Sequence, residues 1–90
     1  MLTRSCFLGS QKFGTHWTGD NRAENDEVQG SLIMILQLGL AGHPFTGSDV
    51  PGFFGTPTQD LFINFYQMGM WYPFFRGHCD IQSNDRDPWN

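Results

Sequence analysis

Residues 22 to 49 read "RAENDEVQGSLIMILQLGLAGHPFTGSD", and this stretch decides the fold. It predicts a helix from about Arg22 to about Leu40. Asn21 is placed to cap that helix, with Glu24 three residues on reaching back, and Glu24, Asp26 and Glu27 suit the positive end of its dipole. Leu32, Ile33, Ile35, Leu36 and Leu40 make it apolar over more than one stripe, as in a helix packed on several sides. Gly42 ends it. The run "SLIMILQLGLAG" is too short to span a bilayer and carries Gln37 near its middle, so it reads as a buried helix. A short strand then runs through Phe45 and gives way to loop at Gly47, with Asp49 at the strand's end.

Working outward, "LTRSCFLG" (Leu2 to Gly9) reads as a buried strand, followed by a loop holding "HWTGDN". Downstream, Thr56 as N-cap, Pro57 at the first helical position and Gln59 at capping-box spacing open a second helix. Its apolar face repeats at Leu61, Phe65 and Met68, with Phe62, Tyr66 and Gly69 beside them. Pro73 closes it and leads into a third strand, "FFRGHC", ending on Arg76 and His78. The tail "DIQSNDRDPWN" reads as loop. The order is strand, helix, strand, helix, strand, and crossovers through helices imply parallel strands.

Ninety residues, 39% hydrophobic and 16% charged, suit one globular unit and not a solvated coil. The 16% aromatic content is more buried-type surface than so small a fold hides. A formal charge of -4, with Arg4, Lys12, Arg22, Arg76 and Arg86 scattered along the chain, argues against a nucleic-acid partner. Cys6 and Cys79 have no C-x-x-C neighbour and read as free, buried thiols. The first residues, "MLTRSCFLGSQKFG", lack the continuous apolar run of a signal peptide.

In α/β units, strand C-termini and the loops after them carry the chemistry. Arg4, Trp17, Asp20, Asp49, Arg76 and His78 all fall there and would meet on one rim. An indole face with carboxylate, guanidinium and imidazole groups suits a sugar, whose ring has an apolar face and vicinal hydroxyls. Each residue also has a plainer reading. Trp17 fits a hydrophobic plug, Asp20 a helix cap, Asp49 a turn residue and Arg76 a solvated or paired arginine. His78 with Asp80 lacks the further ligands a metal needs. The His16 and Asp20 spacing is interrupted by Gly19, so no helical metal face forms.

The ordered set "TRSCF", "HWTGDN", "GSDVPGFF", "YQMGMWYPFFRGH" and "RDPW" resembles the catalytic barrel of glycoside hydrolase family 31, the retaining α-glucosidases, and looks closest to the neutral, glucosidase II-like branch. The resemblance covers almost the whole chain and implies a partial (β/α)8 barrel. Residues 1–90 would form its C-terminal part, incomplete, with about three parallel strands and two helices. It implies that Asp20 is the general acid/base, that Trp17 lines the same subsite, and that Arg4 holds a sugar hydroxyl near Asp20. His78 would contact the glucosyl unit, and Asp49 would support by hydrogen bonding.

The family's nucleophile is an aspartate in an upstream W-x-D-M-N-E-like motif, which these residues do not contain. The resemblance therefore implies hydrolysis of terminal α-linked glucose with retention by the parent, and an inactive isolated chain. It implies no cofactor and no metal, an oligosaccharide or N-glycan substrate, and no membrane span. A glucosidase II-like parent would bring a regulatory β-subunit and the endoplasmic reticulum. Asn25 stands where relatives commonly have tryptophan, and Pro51 where many have glycine. Two other readings remain: a non-catalytic carbohydrate-binding or vestigial product, and an α/β metal protein using His16, His43 and His78.

Overall fold

A computed structural model describes residues 1–89. Parallel strands alternate with two helices, as the crossover spacing requires, but the strands are shorter than expected and there are five where three were expected. β1 is Leu2–Thr3, β2 Thr15–Trp17, β3 Thr46–Gly47, β4 Asp49–Val50 and β5 Arg76–Gly77; α1 is Asn25–Leu40 and α2 Gln59–Gly69. β2 pairs with both β1 and β3 in parallel, placing His16 opposite Thr3 and Thr46, and Trp17 opposite Gly47. β4 pairs in parallel with β5, Asp49 opposite Arg76. β3 and β4 are separated by Ser48 alone, so one extended segment bridges the two small sheets.

Several expectations are corrected. The strand expected over Leu2 to Gly9 stops at Thr3: the chain bends at Arg4 and later passes through a left-handed Gly9 into a short 3-10 turn at Ser10–Lys12. "HWTGDN" is not all loop: His16 and Trp17 lie on β2. Asp49 does not end a strand but opens β4. His78 lies just past β5, with its backbone N–H donating to the Val50 carbonyl at 3.0 Å.

The caps also differ. α1 starts at Asn25 after an extended Glu24 that makes no side-chain cap, and Asn21 is used elsewhere. α2 is capped by Thr58, whose hydroxyl accepts from the Leu61 N–H at 3.3 Å. Thr56 lies two residues too early, and Pro57 precedes the cap instead of opening the helix. At the far end of α1, Gly42 adopts φ +92° and the His43 N–H returns to the Leu38 carbonyl, the glycine stop the sequence predicts.

The core is a narrow seam of Val28, Ile35, Val50, Leu61, Phe65 and Tyr72. α1 contributes only Val28, Ser31 and Ile35, one stripe at three- and four-residue spacing, so it is not packed on several sides. Ser31 donates to the Val28 carbonyl and shares a hydrogen bond with the Tyr72 hydroxyl, which satisfies both buried groups. Ile33, Leu36 and Leu40 face outward, as do Phe7, Phe13, Trp71 and Trp89. The aromatic excess is thus real exposed surface. Close approach fixes Gly47: a Cβ there would lie 1.8 Å from the Phe74 carbonyl oxygen, so only glycine lets that backbone lie against β3. Both cysteines are free and half-buried.

Candidate active site

The strand ends form a rim, and each of the six singled-out residues stands on it. Arg4 follows β1, Trp17 ends β2, Asp20 lies in the loop after β2, Asp49 opens β4, Arg76 lies on β5 and His78 follows it.

Arg4 Nη1 lies 3.8 Å from Asp20 Oδ2, with side chains 61% and 34% exposed. Such a pair adds little to stability, so its weight is positional and electrostatic. Gly19 is what permits it. At φ +89° a Cβ on residue 19 would sit 2.6 Å from Arg4 Nε, so the guanidinium lies directly over that glycine. Asp20 therefore projects from the loop carrying its own arginine neighbour.

Asp49 is the opposite case. It is 1% exposed, and its Oδ1 accepts from Arg76 Nη2 at 2.7 Å. Burial pushes its carboxyl above the ordinary range; Arg76 pulls it back through the hydrogen bond and its charge, His78 pulls the same way, and Asp20 adds a repulsion. Desolvation outweighs the ion pair, as in many buried pairs. The Arg76 guanidinium also lies 5.6 Å from the Trp17 ring centroid and 5.6 Å from that of Phe74. Arg76 is thus paired and stacked, not solvated.

Trp17 Nε1, Asp49 Oδ2 and Arg76 Nε are buried and have no partner among the described residues. Two donors and one acceptor left unpaired in one cluster are costly unless something polar meets them. His78 packs its exposed ring on Phe53, with centroids 5.4 Å apart.

Asn21 is the residue whose role the sequence concealed. Its Nδ2 donates to Ser48 Oγ at 2.8 Å and to the Asp49 carbonyl at 3.0 Å, and its Oδ1 accepts from the Phe53 N–H at 3.0 Å. Its own carbonyl accepts from the Phe53 and Phe54 N–H groups. It locks the Asp20 loop to the loop after β4. Arg86 closes the same loop from behind, with Nη1 on the Gly52 carbonyl at 2.8 Å and Nη2 on the Gly55 carbonyl. The signal for Arg86 was present in "RDPW"; nothing in sequence spacing marks Asn21 as other than a cap.

Among the described residues no group of three or more His, Cys, Asp or Glu is placed to hold a metal. The His16 and His43 rings are 6.4 Å apart, but both nitrogens of His16 are already bonded, which overturns the three-histidine metal reading. A cavity of about 440 Å³ lies between the start of α2 and Asn84 to Pro88, and none of the rim residues lines it. No helix among the described residues is long and apolar enough to cross a membrane.

A family model for the TIM-barrel domain of glycosyl hydrolases family 31 matches residues 1–90. The chain is 49% identical over 89 residues to a probable glucan 1,3-alpha-glucosidase of Oryza sativa subsp. japonica, covering 99% of this chain and 10% of that protein. It is likewise 49% identical to the human neutral alpha-glucosidase AB, covering 99% of this chain and 9% of the relative. Among solved structures it matches an ER glucosidase II heterodimeric complex of catalytic subunit and regulatory-subunit binding domain, with a TM-score of 0.95 and 50% identity over 98% of this chain and 10% of that one. The chain spans about a tenth of the length of these relatives.

Proposed function

The chain belongs to the TIM-barrel domain of glycoside hydrolase family 31, and from that premise we propose that it serves an α-glucosidase releasing terminal α-linked glucose with retention of configuration. Asp20 is the general acid/base in this reading. It protonates the leaving oxygen as the glycosidic bond breaks and then removes a proton from the water that attacks the glycosyl-enzyme. The nucleophile is a carboxylate about 5 Å away, supplied by a barrel segment outside these 90 residues. In this reading the residues present form the C-terminal part of the barrel. Alone they hold one member of a catalytic pair and do not turn over.

The observation that carries the reading is the rim itself. An ion-paired Asp49 and Arg76, stacked under Trp17, present unpaired buried donors and an unpaired acceptor. Vicinal sugar hydroxyls, each both donor and acceptor, meet that demand, and the indole covers the sugar's apolar face. Arg4 and His78 extend the same surface towards the glucosyl unit. The substrate class is an oligosaccharide or N-glycan, and a regulatory β-subunit is the partner if the parent is glucosidase II-like, since a matched structure is a catalytic subunit with such a binding domain. In that case the endoplasmic reticulum is the compartment.

The test replaces the matching segment of a family 31 catalytic subunit with residues 1–90. The chimera is expected to hydrolyse a glucose disaccharide, and Asp20→Asn to lower kcat/KM by about 10²- to 10⁴-fold on that substrate while sparing kcat/KM on glucosyl fluoride, because kcat/KM reports the glycosylation step. Equal loss on both substrates removes Asp20 from the proton-donor role. A second reading, a carbohydrate-binding piece without turnover, is favoured by the same unpaired polar atoms. Turnover by the chimera that is lost in Asp20→Asn separates it from the enzyme reading, and calorimetry of the 90-residue chain with glucose or an iminosugar separates it from a vestigial product, which gives no saturable heat.

A further inference from the structure

His16 is buried, 8% exposed, on the central strand of the three-stranded sheet, and the proton chemistry above does not use it. Its Nε2 lies 2.6 Å from the Arg4 carbonyl oxygen and its Nδ1 3.1 Å from Thr46 Oγ1. A carbonyl can only accept, so the ring carries its proton on Nε2, and in the neutral ring Nδ1 accepts from the Thr46 hydroxyl. Thr46 is itself fully buried, and its carbonyl accepts from the Phe74 N–H at 3.0 Å. The imidazole is therefore held from the sheet interior and holds Arg4 in turn.

Arg4 lies one residue beyond the end of β1, where the paired register stops at Thr3 opposite His16. Its side chain is mostly exposed, so packing alone does not fix it. Strand alternation sends Trp17 to the face opposite His16, so the two neighbours serve different ends: Trp17 meets Arg76 on the rim, and His16 anchors backbone behind it. We propose that His16 is a positioning residue that sets Arg4 beside the Asp20 carboxyl by gripping the Arg4 carbonyl from behind. This rests on the reading of Asp20 as proton donor, and it acts through Arg4 without touching substrate. A small displacement of a positioned charge is enough to change the rate of a step that depends on it.

The test uses the chimera described above, so that the chain is assayed with a nucleophile present. His16→Phe keeps an aromatic ring but removes both hydrogen bonds; His16→Gln keeps an amide donor able to reach the Arg4 carbonyl. Each is assayed on a disaccharide, whose leaving group needs a proton, and on glucosyl fluoride, whose leaving group does not. His16→Phe is expected to lower kcat/KM, which reports the glycosylation step, about tenfold on the disaccharide and less than about threefold on the fluoride, with His16→Gln close to the parent on both. Equal loss on both substrates, or no loss on either, overturns the proposal. If His16→Phe fails to fold, Thr46→Val removes only the outer link and is expected to give a smaller split in the same direction; no split overturns it equally. Asp20→Asn separates the two levels. If it lacks the split, the proton-donor reading falls and this inference with it; if it shows the split while His16→Phe does not, His16 alone is wrong.

Discussion

Replacing Asn21 with alanine removes three side-chain hydrogen bonds from a position 6% exposed. One loss is partly covered, because the Phe53 N–H keeps the Asn21 main-chain carbonyl. The other two are not, so Ser48 Oγ and the Asp49 carbonyl lose a donor in a buried setting. At about 1 kcal/mol net per bond, with about 1–3 kcal/mol for a buried group left unpaired, the loss comes to about 2–4 kcal/mol. A domain of this length holds roughly 5–13 kcal/mol in all, so the change is a large share. Urea unfolding followed by tryptophan fluorescence reads it as a midpoint lowered by about 2 M or more, taking a slope near 1 kcal/mol per M. Asn21→Asp sharpens the argument, because it keeps the shape while turning the donor into an acceptor 3.0 Å from the Asp49 carbonyl. It is expected to destabilise at least as much as alanine. An aspartate variant within about 0.5 kcal/mol of the parent refutes the claim that the amide donor joins the two loops.

Three further outcomes follow from the structure. Gly47→Ala forces a Cβ against the Phe74 carbonyl and is expected to unfold or strongly destabilise the chain, whereas Gly30→Ala, with open space around it inside α1, is expected to stabilise by about 0.5–1 kcal/mol; thermal unfolding compares them. Asp49 has a carboxyl raised from its ordinary 3.8 by burial, so the folded state holds its proton more tightly than the unfolded chain, and stability from this group falls as pH rises from 3.8 through the folded-state value. Arg76→Ala removes the opposing hydrogen bond and charge and is expected to steepen that fall; urea midpoints parallel to the parent's across this range remove Arg76 as Asp49's counter-charge. Finally, Ile33 and Leu36 are 57% and 61% exposed on α1, and Ile33→Lys with Leu36→Glu is expected to reduce self-association in sedimentation without lowering the unfolding midpoint.

The alternation of parallel strands and helices was legible because it rests on two long, punctuated segments: α1 with its glycine stop at Gly42, and α2 with Leu61 and Phe65 on one face. The strands were less so. β2 is three residues, Thr15–Trp17, with no apolar run to announce it, and its pairing on both sides comes from distant segments. The caps were misplaced for a local reason. Thr56 and Thr58 both precede α2, and the spacing from Thr56 to Gln59 imitates a capping box, yet the hydroxyl that reaches a helix N–H is that of Thr58. The rim residues could be named from sequence because each lies on a strand or in the loop just after one. Their pairing could not: Asp49 meets Arg76 across 27 positions, and His16 meets Arg4 and Thr46 through a register visible only once three strands lie side by side.

The clasp made by Arg86 gives the last residues an unexpected say in the site. Phe53, the ring on which His78 rests, has its carbonyl bonded by the Asp80 N–H at 3.0 Å and by Ser83 Oγ at 3.4 Å, while Arg86 ties down Gly52 and Gly55 on either side. The tail is a latch on the floor beneath His78. A proteolytic cut between Asp80 and Arg86 would leave every rim side chain present yet free that floor, so the His78 end of the rim would loosen before the Arg4 and Asp20 end.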